Sequence, residues 1–285
     1  MTQRTVARVV TVPPLAPGFV GPGHLASLVV SPEDFALTDP FILLADDHLD
    51  IGERPLGGAH PHAGFETVTL LLEGAIHDRD EGGVINAGEV QWMTAGRGII
   101  HGENVAARGR VRLLQLWLTL PKADRWTTPA FQDIRGEAVK VRREPGAEVR
   151  LYSGGSGACR SATRNHVPVT LAEVTLAPHA PVEQDIPLSF NGFVFVLRGA
   201  VTVGTTRLEA GQVGWLDRPA GDGASVVRAT AGGDGVRFVL YAGQPQHDAI
   251  VSHGPFIGDT REDIARLYSE YRAGTFTRMS ELARA

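Results

Sequence analysis

The chain has 285 residues, a net charge of −5 and 43% hydrophobic residues, which sets disorder aside and gives room for one large domain or two ordinary ones. The acidic balance, with no long run of Lys and Arg, argues against direct nucleic-acid binding, which needs clustered cations to displace counterions. No stretch reaches the roughly 20 apolar residues of a membrane helix, and residues 1–14 lack a secretory pattern. The single cysteine, Cys159, excludes an intramolecular disulfide, so a reducing, cytoplasmic location is expected.

In chain order, Thr5 to Val12 is β-branched and weakly alternating, a strand that Pro13-Pro14 ends. A turn-rich loop, Gly18 to Gly23, precedes short buried strands at Leu25 to Val30 and Phe41 to Ala45. Asp46 to Asp50 reads as an acidic loop, with His48 a solvated loop histidine. Strands follow at Glu66 to Glu73, Ala75 to Asp80, Val90 to Thr94, Ile99 to Val105 and Arg110 to Leu120, separated by Gly-rich turns. Short strands at this spacing predict an antiparallel barrel or jelly roll.

The segment from Gly58 to Asn104 carries the chemistry. It contains four of the ten histidines, among them His60-Pro61-His62 and His101-Gly102-Glu103. His60, His62 and Glu66 share parity, as do His101 and Glu103, and residues two apart face the same side of a strand. Lone histidines are usually ordinary core or surface residues. Three of them sharing parity with carboxylates offer a ligand set suited to one divalent metal: iron(II) first, with zinc, nickel, copper or manganese as alternatives. Both carboxylates, Glu66 and Glu103, remain candidates. His77 on the neighbouring strand reads as structural or exposed, and Trp92 and Met93 as barrel core.

Pro121 to Gly146 is polar and charged, the best linker candidate. Beyond it a second β-rich half repeats the first. Val68 to Ala75 aligns with Phe193 to Ala200, and Ala87 to Met93 with Ala210 to Leu216, an internal duplication. In this register Asp185, Pro187 and Asn191 replace His60, His62 and Glu66, while His101 and Glu103 fall near Ala224 and Val226. The repeat keeps the strands and loses the ligands. After a last strand at Val236 to Ala242 comes a helix, Thr260 to Arg272. Thr260 is its N-cap, and Ile264, Leu267, Tyr268 and Tyr271 form an apolar stripe.

The chain resembles the pirin family of the cupin superfamily. The matching residues are Asp39-Pro40-Phe41, His60 through Val68, Gln91 through Glu103, Gly243-Gln244-Pro245 and His253-Gly254-Pro255-Phe256. The resemblance implies an all-β fold of two stacked cupin (jelly-roll) barrels with a short C-terminal helix, divided here as residues 1–128 and 129–285. It implies one metal, usually iron, in the N-terminal barrel, held by His60, His62, His101 and Glu103. Glu66 sits where other cupins place their glutamate and reads as a proton acceptor beside the metal, so Glu66 and Glu103 are the candidate catalytic residues. Two functions follow from the family. One is a quercetin 2,3-dioxygenase-type oxygenase acting on a flavonol or related phenolic with dioxygen. The other is a non-enzymatic metal- or redox-sensing regulator working through a protein partner.

Overall fold

Alternation with a period of two sends one face of each strand inward, and the strands gather into two compact units. The structure, a computed structural model, describes residues 1–50, 52, 58–78, 83–102 and 105–282. The first unit comprises Pro13–Leu37, Phe41–Arg135 and Gln246–Ala285; the second comprises Met1–Val12, Thr38–Pro40 and Gly136–Pro245. A single cut between residues 128 and 129 therefore does not describe them. The reason lies in strand pairing. Val6–Thr11 finds its antiparallel partner in Gln212–Leu216, and Thr277–Arg278 finds its parallel partner in Ile99–His101. Each terminus thus joins the unit encoded mainly by the other half.

Among the described residues of the first unit, eight strands form one sheet. Its order is Ala130–Ile134, Val90–Thr94, Phe65–Asp78, Val105–Thr119, Phe41–Leu49, His24–Val30 and Ala16–Pro17, with Gly83–Asn86 pairing Phe65–Asp78. A smaller sheet has the order Thr277–Arg278, Ile99–His101, His60–His62. In the second unit the main path runs Lys140–Glu144, Ala147–Ser153, Val169–Leu176, Ala224–Gly243, Asn191–Val203, Gln212–Leu216, Val6–Thr11.

Pairing registers bear out the duplication. Val68 pairs with Trp92 and Leu70 with Val90; their aligned counterparts pair likewise, Phe193 with Trp215 and Phe195 with Val213.

Three local expectations change. Asp46 to Leu49 continues the Phe41–Leu49 strand rather than forming a loop. Its acidic residues are held on opposite faces, Asp46 by Arg112 at 2.9 and 2.7 Å and Asp47 by His24 at 2.7 Å. His48 lies on this strand, its Nε2 3.2 Å from Asp46 Oδ1. Glu66 to Glu73 and Ala75 to Asp78 form one strand, Phe65–Asp78. Gly74 sits within it at φ +79°, where a Cβ would meet the Arg110 carbonyl oxygen at 2.2 Å. Finally, the linker candidate contains the edge strand Ala130–Ile134 of the first unit and Lys140–Glu144 of the second.

The helix Arg261–Arg272 carries the expected cap. Thr260 Oγ1 accepts from the Asp263 amide, and Asp263 Oδ2 accepts from the Thr260 amide. Ile264 and Leu267 are buried against Ala63, Ile100, Phe256 and Phe276, with Tyr268 packed beside them, while Tyr271 reaches the surface. Ala63 and Ile100 adjoin the histidine-bearing strands, so the helix braces them from behind. No helix among the described residues is long and apolar enough to cross a membrane.

Candidate metal centre

Two short strands bring the histidines together. His60–His62 runs antiparallel to Ile99–His101, with His60 opposite His101 and His62 opposite Ile99. Gly64, at φ +86°, breaks the chain before the next strand; a Cβ there would lie 1.9 Å from the Ile257 carbonyl oxygen. That close approach clamps the turn. The Ile257 amide donates to the Ala63 carbonyl. Arg125, fully buried, donates to the Gly64 carbonyl at 3.1 Å and to Asp259 at 2.7 Å. Much of the C-terminal segment thus serves to fix His60 and His62.

The ligand-capable nitrogens of His60, His62 and His101 lie within 4.8 Å of one another, and the ring centroids are 4.3 to 5.0 Å apart. His60 Nδ1 donates to the Gly58 carbonyl at 2.9 Å. This fixes the tautomer and leaves Nε2 as the lone-pair nitrogen. A Cβ on Gly102 would lie 3.1 Å from the His60 ring, so a glycine beside His101 gives the ring its space. His62 bonds the Pro255 backbone, and burial, reinforced by the neighbouring His60, lowers its pKa to about 3. Burial also holds the His101 pKa well below the ordinary value, with His62 and His60 adding to the effect. Both rings are therefore neutral near pH 7, the form in which imidazole ligates a metal.

His62 Nδ1 and His101 Nε2 are buried without a hydrogen-bond partner. Such orphaned polar atoms are rare in native interiors. Three converging imidazoles, two of them held neutral and carrying buried unpartnered nitrogens, fit a divalent cation of the borderline class.

Glu103 lies outside the described residues. Glu66 is fully buried, accepts from Thr94 Oγ1 at 2.6 Å, and belongs neither to the histidine group nor to the cavity lining. Its neighbours Thr67 and Thr69 line the cavity, so strand alternation turns Glu66 the other way. The shared parity with His60 and His62 fails because the chain breaks at Gly64 between them. The proton-acceptor role expected for Glu66 thus finds no place for its side chain in the cavity wall; the structure bonds it to Thr94 instead. His77 does not line the cavity, Trp92 is core, and Met93 serves both core and cavity wall.

The cavity, about 630 Å³, is lined by His60, His62 and His101 at one part of its wall. Trp117, its ring 5.4 Å from that of His62, Met93 and Phe131 add apolar surface. Next along the sheet come Gln91, Thr69 and Gln115, cross-strand neighbours on three adjacent strands. Thr69 Oγ1 donates to Gln115 Oε1 at 2.9 Å, and Gln91 Nε2 is buried without a partner. The sequence reading missed these amides. The signal was present in Leu113, Gln115 and Trp117, which alternate along an otherwise apolar strand.

Comparison with known proteins gives these features a family. A family model described as Pirin matches residues 29–118, and one described as Pirin C-terminal cupin domain matches residues 171–277. A pirin-like protein of Solanum lycopersicum is 32% identical over 260 residues, spanning 89% of this chain and 87% of its own length. Human pirin is 32% identical over 82% of this chain and 81% of its own. Among solved structures, a quercetin 2,3-dioxygenase from Acinetobacter baumannii superposes with a TM-score of 0.81 at 27% identity, covering 96% of this chain and 99% of that one. A bacterial pirin from Escherichia coli in complex with nickel(II) shares the fold, with a TM-score of 0.62 at 20% identity over 84% of this chain and 99% of that one. Relatives at this identity cover more than four-fifths of both chains, and each unit carries its own family match, so the chain belongs to the pirin family and its two units are cupin domains.

Proposed function

We propose that His60, His62 and His101 hold one divalent metal, iron(II) in the working protein, with Glu103 as the fourth ligand, and that the cavity beside them binds a flavonol or related phenolic for ring opening by dioxygen. The observation that carries this reading is the group of three imidazoles, two of them with buried unpartnered nitrogens, in the wall of a 630 Å³ cavity. When bound, the metal supplies Lewis acidity toward an enolic hydroxyl and a redox partner for dioxygen. The chain's residues do the rest. Trp117, Met93 and Phe131 offer flat or pliable apolar surface to a planar ring. Gln91, Thr69 and Gln115 supply oriented amide and hydroxyl groups that fix its polar edge. Glu103, next but one to a ligand histidine, is the carboxylate assigned to accept the substrate hydroxyl proton. Glu66 takes a structural role as acceptor for Thr94.

The similarity to an Acinetobacter baumannii quercetin 2,3-dioxygenase supports the oxygenase reading. The test is anaerobic loading with iron(II), metal analysis, then oxygen uptake with quercetin. Uptake matched by loss of flavonol absorbance is the expected result. A fully loaded chain that consumes no oxygen with any flavonol or catechol would sink it and leave regulation through a protein partner as the function.

A further inference from the structure

One part of the same cavity wall has no role in holding the metal. His24 and Asp47 both line it, and both are buried. The Val20 amide donates to His24 Nδ1 at 3.2 Å, so the ring proton is on Nε2, which donates to Asp47 Oδ1 at 2.7 Å. The ring is clamped in this pose. A Cβ at Gly18 would lie 2.3 Å from it, and Phe19 meets it edge-on at 5.3 Å. With both nitrogens engaged, His24 orients the carboxylate and leaves the ligand contact to Asp47.

The surroundings make that carboxylate unusual. Leu49, Ile76, Leu113 and Val20 line the same region and belong to one apolar cluster. A carboxylate has about four acceptor positions, and among the described residues His24 is the partner found for Asp47. An acceptor buried among apolar groups with spare capacity is costly unless something donates to it. Its location is also defined. Asp47 pairs across the sheet with Leu113, four residues along the strand from Trp117, which touches His62. Strand rise places the two positions about 13 Å apart, with the Gln91–Thr69–Gln115 row between them.

We infer that Asp47, positioned by His24, is a specificity-determining acceptor for a phenolic hydroxyl at the end of a planar substrate remote from the metal. This rests on the flavonol reading above and adds a requirement to it: the substrate carries a donor hydroxyl on the far ring as well as the chelating group at the metal.

The test compares quercetin with 3-hydroxyflavone, which keeps the chelating hydroxyl-ketone and lacks the remote hydroxyls. Binding to the metal-replete full chain is followed by calorimetry without oxygen, so that turnover plays no part. Quercetin should bind about 10- to 100-fold tighter, the range of a hydrogen bond to a charged acceptor. Asp47→Asn should erase that preference by weakening quercetin alone, and Asp47→Leu, which removes the polar group outright, should do the same. His24→Gln, still able to donate to the carboxylate, should keep most of the preference, and His24→Phe should lose it. Equal affinities in the unmodified chain, or a loss in Asp47→Asn that falls equally on both ligands, would overturn the subsite while leaving the metal-end reading intact. If neither ligand binds the metal-replete chain, the flavonol reading and this inference fall together.

Discussion

The two cupin units share a strand plan and differ in what fills them. Registers place Thr69 and Gln115 in the first unit where Val194 and Leu240 stand in the second, and Gln91 where Gly214 stands. Asp47 of the first, paired with Leu113, corresponds to Val174 of the second, paired with Phe238. His60, opposite His101, corresponds to Asp185, opposite Val226, two residues beyond the Ala224 that the sequence alignment sets against His101. Val174, Val194, Val196, Phe238 and Leu240 all belong to one buried apolar cluster. The second unit thus spends its interior on packing, which the hydrophobic effect rewards at about 25 cal/mol per Å². The first leaves a cavity walled with amides, a carboxylate and imidazoles, and relies on the C-terminal segment to brace it. One strand plan thus carries two different interiors.

The largest expected effect is on metal content. His60→Ala or His101→Ala should empty the site while the chain still folds, because the ligands are not part of either apolar core. Elemental analysis should fall from one metal per chain to near zero, and full occupancy in either variant would remove the assignment. The same measurement on the unmodified chain should give no second tightly held metal, since Asp185, Pro187 and Val226 offer no imidazole.

Exchanging interior residues tests the division itself. Leu240→Gln would place an amide in the apolar cluster of the second unit and should cost about 2–3 kcal/mol in urea unfolding. Gln91→Leu in the first unit removes a buried amide nitrogen that has no partner and should leave stability within about 1 kcal/mol of the original or raise it. Equal costs for both would contradict the contrast drawn between the interiors.

A pH dependence should follow for the metal-free chain. His62 binds its proton more weakly folded, at about 3, than at the ordinary 6.5. Between those values the unfolded chain takes up more protons, so stability falls as pH drops below about 6.5, and His62 contributes no slope above it. His101 acts in the same direction. Thermal unfolding from pH 7 to pH 4 should show the decline, and the His62→Gln variant should show less of it.

The smallest effect on the site is assigned to Glu66→Gln. With its side chain turned from the cavity and bonded to Thr94, the change should leave metal content and flavonol affinity near the original and cost about 1–2 kcal/mol. An emptied site would make Glu66 a ligand after all.

Much of this was legible in the chain. Gly-punctuated β-branched runs specify short antiparallel strands, because each turn needs a residue tolerant of positive φ and each strand a side chain suited to the pleat. The repeat of Val68 to Ala75 in Phe193 to Ala200 announced the second unit, and its missing histidines are the ground for expecting no metal there. The spacing of His60, His62 and His101 marked the cluster because alternation along a strand is a local property. Tertiary structure decided what depends on partners distant in sequence. Glu66 shares parity with His62 on paper, yet the break at Gly64, forced by the approach of Ile257, turns it to the other face. Asp46 and Asp47 look like loop residues until Arg112 and His24 arrive from other strands to neutralise and orient them. The terminal segments cross over because unpaired strand edges find complementary edges in space, and no local pattern records which edge lies nearest.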